Sequence, residues 1–280
     1  MVRLKAALWL ALVSVLVGCA KENGSGPGPG RGPRAGEIPA STQIEGKRIT
    51  SGFAHGHLRL SQDVAPFRVS DLITVSLYEA CVDAGGCSAP SRRTFSCDAE
   101  EARPWFANTW RLRDRASGLP AVCLDPGDAE QYCRWVGAEL PSAREWLLSA
   151  RGDGSSRIAQ FAWGDDAPNC ERHPGPFTFA SSPCCKDDCK PEEHLSVGQR
   201  PAGASPSGVA DVLLTPAELI GVSPDAQFPA CRSGSGCLVT GMMPGAIEGV
   251  RAVPDTVDPD GPRYHEPPFG FRCVWKEGNR

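Results

Sequence analysis

The sequence predicts an α+β fold: one irregular, loop-rich domain stapled by disulfides rather than closed over a large regular core. Three observations point there. Glycine (31) and proline (26) are frequent while aromatic residues make up only 7%, which favours turns over long helices and strands. Of thirteen cysteines, Cys19 stands apart beside the leader and twelve remain, an even number in a chain that reads as exported, which favours bridges over free thiols. Helical periodicity is confined to three short stretches, with brief strand-like alternations around them. The organisation that follows is a leader over 1–18, a tether over 19–44 and one domain over 45–276, with no second linker inside it.

The leader is read from Arg3 and Lys5 followed by the apolar run Ala6 to Val17, too short to span a bilayer comfortably. It ends in Leu16-Val17-Gly18-Cys19, which resembles a bacterial lipobox, so Cys19 is the expected lipidated mature N-terminus. The alternatives are an ordinary secretory signal with Cys19 incidental, and a short membrane anchor. Lipidation attaches a chain to a membrane without spanning it, at about 0.8 kcal/mol per buried CH₂. Ala20 follows rather than aspartate, which in a Gram-negative cell predicts the outer membrane of the cell envelope. Lys21 to Gly36 is nearly free of apolar residues and rich in glycine and proline, as a solvated tether is.

Without Arg3 and Lys5, about 27 basic residues face 33 acidic ones, a mature charge near −6. No basic run could follow a phosphate backbone, so nucleic acid is not an expected partner.

From Phe53 to Leu72 short alternations such as Phe67-Arg68-Val69 predict strands. Thr74 to Val82 predicts a helix whose apolar face is Leu77, Tyr78, Cys81 and Val82. Cys87 follows six residues after Cys81 in a turn-like stretch, and the two are an expected local bridge.

Two capped helices come next. Asp125 is the N-cap of the first, Pro126 its first residue and Asp128 its capping-box partner. Ala129, Tyr132, Cys133 and Val136 form its buried stripe, and Gly137 ends it. Ser142 and Glu145 cap the second, Trp146, Leu147 and Ala150 give it an apolar face, and Gly152 closes it. Cys133 is therefore buried, and at this level it is equally a thiol, half of a bridge or part of a reactive site. Beyond Gly152 regularity fades until Pro267 to Trp275, which reads as a final strand carrying Cys273.

These landmarks, in this order, resemble the formylglycine-generating-enzyme (sulfatase-modifying factor) family. The carriers are Ile73 to Cys87, Pro120 to Gly152, Phe161-Ala162-Trp163-Gly164-Asp165, a weaker stretch Val197 to Val212, and Gly270-Phe271-Arg272-Cys273. The resemblance covers nearly all of 45–275. It implies an irregular α+β domain related to C-type lectins. It also implies a bridge between Cys133 and Cys273, by analogy with members in which the corresponding cysteines pair.

The same resemblance implies copper and calcium as cofactors to be tested against the residues. Family enzymes hold copper with a cysteine pair shortly before Gly-Phe-Arg-Cys, and thiolates suit Cu(I). The corresponding window, Leu238 to Val253, contains no cysteine. Its sulfur atoms are Met242 and Met243, read as packing residues. Cys231 and Cys237 lie upstream as candidates for a displaced catalytic pair, with a local disulfide as the better reading. The implied calcium site falls on Leu214 to Leu219, where only Glu218 survives as an oxygen donor of the expected type, and calcium takes six to eight.

Other clusters have plainer readings. Cys184, Cys185, Cys189 and His194 resemble a zinc set, but adjacent cysteines suit tetrahedral ligation poorly and export favours oxidation. His55 and His57 read as an exposed strand end, and Asp165-Asp166 and Asp187-Asp188 as solvated turns. Three function classes remain: a membrane-anchored, non-catalytic module that binds a protein or glycan ligand, a copper-dependent formylglycine-generating or other metal-dependent oxidase, and a structural envelope component. Variable loops on a stapled frame favour the first.

Overall fold

The computed structural model describes residues 31–49, 62–90, 118–122, 124–152, 159, 161–169, 171–173, 196–214, 217–221, 237–240, 249–252 and 269–277. Cys19, His55, His57, the 184–194 cluster, Cys231, Met242 and Met243 lie outside them.

Three helices form where the sequence predicts them, one from its apolar periodicity and two from their caps. Helix α1 (Val75–Asp83) starts at Thr74, whose hydroxyl accepts a hydrogen bond from the Leu77 amide. Helix α2 (Pro126–Trp135) has the Asp125/Asp128 capping box and buries Ala129, Tyr132 and Cys133. Helix α3 (Ala143–Arg151) has the Ser142/Glu145 box and buries Trp146, Leu147 and Ala150. Gly137 and Gly152 follow α2 and α3 with φ of 74° each, the left-handed conformation that a side chain disfavours and a helix end exploits.

Strands β1 (Ser41–Ile44), β4 (Phe67–Ser70) and β9 (Val274–Lys276) form an antiparallel sheet in the order β1-β4-β9. Strands β2 (Lys47–Ile49) and β3 (Gln62–Val64) form a two-stranded ribbon. Strands β5 (Ala217–Ile220), β6 (Cys237–Thr240), β7 (Gly249–Ala252) and β8 (Phe269–Phe271) form a sheet in the order β7-β6-β5-β8, with β5 and β8 parallel.

Two boundaries differ from the sequence expectation. Ser41–Ile44, assigned to the tether on composition, form β1 and pair with β4 from Ser41↔Ser70 to Ile44↔Phe67. The alternation that drives this is only four residues long, and Ile44 is its one fully buried side chain, so the glycine-rich segment before it masked the signal. The second difference is at the C-terminus, where one expected strand is two. Chain direction changes at Arg272 and Cys273, which leave the β5–β8 pair and join β9 to β4. Ser70 fixes the crossing: its amide donates to the Cys273 carbonyl (2.8 Å), and its hydroxyl accepts from the Cys273 amide (2.9 Å).

The core has two parts. One gathers β1, β4, α3 and residues 209–213 around Trp146, Leu147 and Phe67. The other gathers α1, α2, β5 and β8 around Tyr78, Tyr132 and Phe271. Tyr132 stacks with Tyr78 and meets the Phe271 ring edge-on at 5.7 Å between centroids. The bridge that the resemblance implied is formed: Cys133 and Cys273 have Cα atoms 5.4 Å apart and lie in this second part. Cys81 and Cys87 are bridged as well, with Cα atoms 5.2 Å apart.

Candidate functional site

Two constellations of polar side chains stand out among the described residues. The first is buried. Glu218, the charge in the otherwise apolar strand β5, is fully inaccessible, and so, to within 1%, is Arg272 between β8 and β9. Arg272 Nε donates to Glu218 Oε2 at 2.7 Å and its Nη2 to Oε1 at 3.2 Å. Trp146 Nε1 also donates to Oε2 at 2.8 Å, and the Leu213 amide donates to Oε1 at 2.8 Å. Arg272 Nη2 then reaches the Asp211 carbonyl at 2.7 Å. Burial works against the Arg272 charge, but Glu218, with Asp211 and Asp71 behind it, prevails and holds the guanidinium pKa above its ordinary value.

The turn that serves this node is strained. Asp211 and Leu213 both have φ of 55°, a region that costs side chains roughly 1 kcal/mol or more each. It delivers the Leu213 amide to the carboxylate and the Asp211 carbonyl to the guanidinium. Asp211 itself is buried, which raises its pKa, partly offset by the Gly198 amide donating to Oδ2 at 2.5 Å and by Arg272.

This geometry decides the calcium question at Glu218. An ionised carboxylate offers about four acceptor directions, and here four N–H groups from three donors, Arg272, Trp146 and the Leu213 amide, occupy them. One of those donors carries a full positive charge, which would repel a dication at the same oxygens. Glu218 is an ion-pair partner, and the residues present do not fit a calcium ion there. No group of three or more histidine, cysteine, aspartate or glutamate side chains among the described residues is arranged to hold a metal.

The window before Gly-Phe-Arg-Cys spans β6 and β7, which pair from Cys237↔Ala252 to Thr240↔Gly249. Cys237 thus opens the hairpin, and the ladder strands between it and Ala252 contain no second cysteine. Of the displaced pair Cys231 and Cys237, only Cys237 lies among the described residues.

The second constellation is a surface groove of about 860 Å³ across the β1-β4-β9 sheet and the end of α2. Gln43, Arg68 and Trp275 form its sheet side, and Arg134 and Glu139 face them. The Arg68 guanidinium carbon lies 5.0 Å from the Trp275 ring centroid, a cation–π contact that orients both. Trp275 Nε1 donates to the Val136 carbonyl at 3.1 Å, tying the strand to the end of α2. The Cys133–Cys273 bridge lies one residue from the groove on each side, at Arg134 and Val274. Lys276 pairs with Glu139 at 2.7 Å, and although burial opposes its charge, Glu139 and Glu145 raise its pKa.

Sequence reasoning placed Cys133, Cys273 and Glu218 but missed Arg272, Asp211, Arg68 and Trp275. A signal existed for one of them. Glu218 in Ala217-Glu218-Leu219-Ile220 and Arg272 in Phe269-Gly270-Phe271-Arg272 are opposite charges in apolar strands, and buried charges need partners.

Residues 36–205 match the sulfatase-modifying factor enzyme 1-like domain, a match that ends before β5. A hercynine oxygenase from Mycolicibacterium thermoresistibile is 30% identical over 167 residues, covering 54% of this chain and 34% of that protein. The formylglycine-generating enzyme of Streptomyces coelicolor is 35% identical over 74 residues, covering 22% of this chain and 23% of that enzyme. The one from Mycobacterium tuberculosis is 36% identical over 77 residues, covering 28% and 23% respectively. The chain thus spans about a third or less of the length of these relatives. The crystal structure of CarF superposes with a TM-score of 0.50 over 86% of this chain and 99% of that one, at 13% identity, a likeness of fold alone.

Proposed function

The chain belongs to the sulfatase-modifying factor enzyme 1-like domain family, and from that premise we propose that it is a membrane-anchored, non-catalytic module that binds a protein or glycan ligand. The observation that carries the reading is the absence of cysteine from Leu238 to Val253, the window in which the resemblance requires a copper-holding thiol pair. A thioether is neutral and cannot cycle through a disulfide, so Met242 and Met243 do not replace it. The groove over Arg68 and Trp275 is the proposed contact surface, and the relation to C-type lectins belongs to the same proposal. Anchoring through Cys19 in the cell envelope, at the outer membrane, completes it.

The relatives' names favour a second reading, a copper-dependent formylglycine-generating or other metal-dependent oxidase, with Cys231 and Cys237 as its displaced pair. One experiment separates the two. Purified lipid-free protein is incubated with copper, oxygen and a sulfatase-motif peptide, and aldehyde is measured. The binding-module reading expects none. Turnover that disappears in Cys237→Ser would overturn it and establish the oxidase.

A further inference from the structure

Residues 31–40 lie along the edge formed by α1 and α2 rather than leading away from the domain. The Arg31 amide donates to the Ala84 carbonyl at 3.1 Å, and Trp135 Nε1 donates to the Arg31 carbonyl at 2.9 Å. Arg31 Nη1 and Nη2 donate to the two Glu37 carboxylate oxygens at 2.7 Å each, and Glu37 also accepts from the Arg34 amide at 2.8 Å. The Asp71 amide donates to the Ala40 carbonyl at 2.9 Å, which carries the contact on to β1.

The Trp135 indole that receives this segment is itself seated with little room to spare. A Cβ on Gly86 would lie 2.3 Å from Trp135 Cδ1, so the ring rests directly on glycine backbone. Gly86 belongs to the short loop closed by Cys81–Cys87. The bridge, the glycine and the indole together make a dock for the N-terminal segment.

We infer that residues 31–40 are a docked strap that shortens the tether and fixes which end of the domain faces the membrane, namely the end bearing Ala84, Gly86 and Trp135. This rests on the proposed anchoring through Cys19. A tether free from Cys19 to residue 44 could extend about 85 Å, whereas one held from Arg31 extends about 40 Å at most. The domain is therefore leashed close to the lipid surface by one edge. Arg134 of the groove immediately precedes Trp135 of the dock, so the α2 wall of the groove lies at that same end.

Two measurements test the two halves separately. Trypsin digestion of unlipidated Cys19→Ser chain reads the strap, with Lys21 as the internal reference. Cleavage after Arg31 should be slow in the parent and about tenfold faster in Trp135→Phe, which keeps the ring but removes the donor, because cleavage tracks the opened population. Glu37→Gln should do the same from the surface side. Equal cleavage after Lys21 and Arg31 in the parent overturns the strap.

Orientation is read on the lipidated chain in phosphatidylcholine vesicles with acceptor-labelled headgroups. A donor is placed by p-azidophenylalanine at Ala89, just past the dock, or at Ala167, in the loop beside Trp163. Higher transfer from position 89, narrowing in Trp135→Phe, is expected. Equal transfer with an intact strap overturns the orientation. A native chain that carries no lipid overturns the anchoring and with it the membrane-facing assignment, while the digestion still judges the strap alone.

Discussion

Arg272 Nε lies 2.7 Å from Glu218 Oε2, with both side chains essentially inaccessible, so the domain is built around an ion pair that neither partner can leave. Removing one member of a buried pair typically costs about 3–5 kcal/mol, because the other charge stays buried alone. Glu218→Gln is expected to fall in that range, since either orientation of its amide points NH₂ at two donors. Replacing both charges by apolar residues is expected to recover only part of the loss. Trp146 Nε1 and the Leu213 amide would still lack an acceptor, at about 1–3 kcal/mol each. Denaturant unfolding of Glu218→Gln and of the double variant checks this.

The Cys133–Cys273 bridge closes a loop of 140 residues and joins the middle of the chain to its last strands. In the chain-entropy account, a loop of that size contributes about 4–5 kcal/mol, chiefly by restricting the unfolded state. The paired substitution Cys133→Ala with Cys273→Ala should therefore lower stability far more than Cys81→Ala with Cys87→Ala, whose loop spans 6 residues. Comparing the two double variants by thermal unfolding under oxidising conditions is the test, and equal losses would refute it.

Local chemistry made part of this structure legible. Asp125 and Ser142 announce helix starts because capping is decided within four residues, and both caps are where the sequence places them. The Cys133–Cys273 pairing became legible only through a family resemblance, since spacing alone leaves many connectivities open. What local pattern could not show was the break at Arg272. That residue turns inward because Glu218, 54 residues earlier, needs a cation, so one apparent strand becomes two in different sheets. The positive φ at Asp211 and Leu213 was hidden for the same reason: it is imposed by distant partners and opposed by local preference. The groove joins Gln43, Arg68, Arg134 and Trp275 from four parts of the chain, which no window of sequence brings together.

Gly86 is where backbone and indole meet most closely, so Gly86→Ala should be felt in the Trp135 ring. An added Cβ 2.3 Å from Cδ1 cannot be accommodated without moving the ring. Overpacking of this kind costs about 1–3 kcal/mol. Loss of the Trp135 Nε1 hydrogen bond to Arg31 should accompany it, visible as a shifted indole N–H resonance. An unshifted resonance with unchanged stability would contradict the packing described.

Asp211 offers the sharpest test of electrostatics in the node. Burial raises its pKa above 3.8, against the Gly198 amide and Arg272, which favour the ionised form. An acid whose pKa rises on folding holds its proton more tightly when folded. Its contribution is therefore most favourable below about pH 3.8 and declines as pH rises through the folded value. At neutral pH the ionised group opposes folding. Asn is neutral, keeps an oxygen for the Gly198 amide, and tolerates a φ of 55° better than most residues. Asp211→Asn is expected to unfold at an equal or higher temperature than the parent at pH 7, with the difference shrinking below pH 4. Asp211→Ala, which leaves the Gly198 amide without its acceptor, should lose about 1–3 kcal/mol at either pH. A strongly destabilised Asp211→Asn at pH 7 would mean that attraction to Arg272 outweighs burial, and would reverse the assignment.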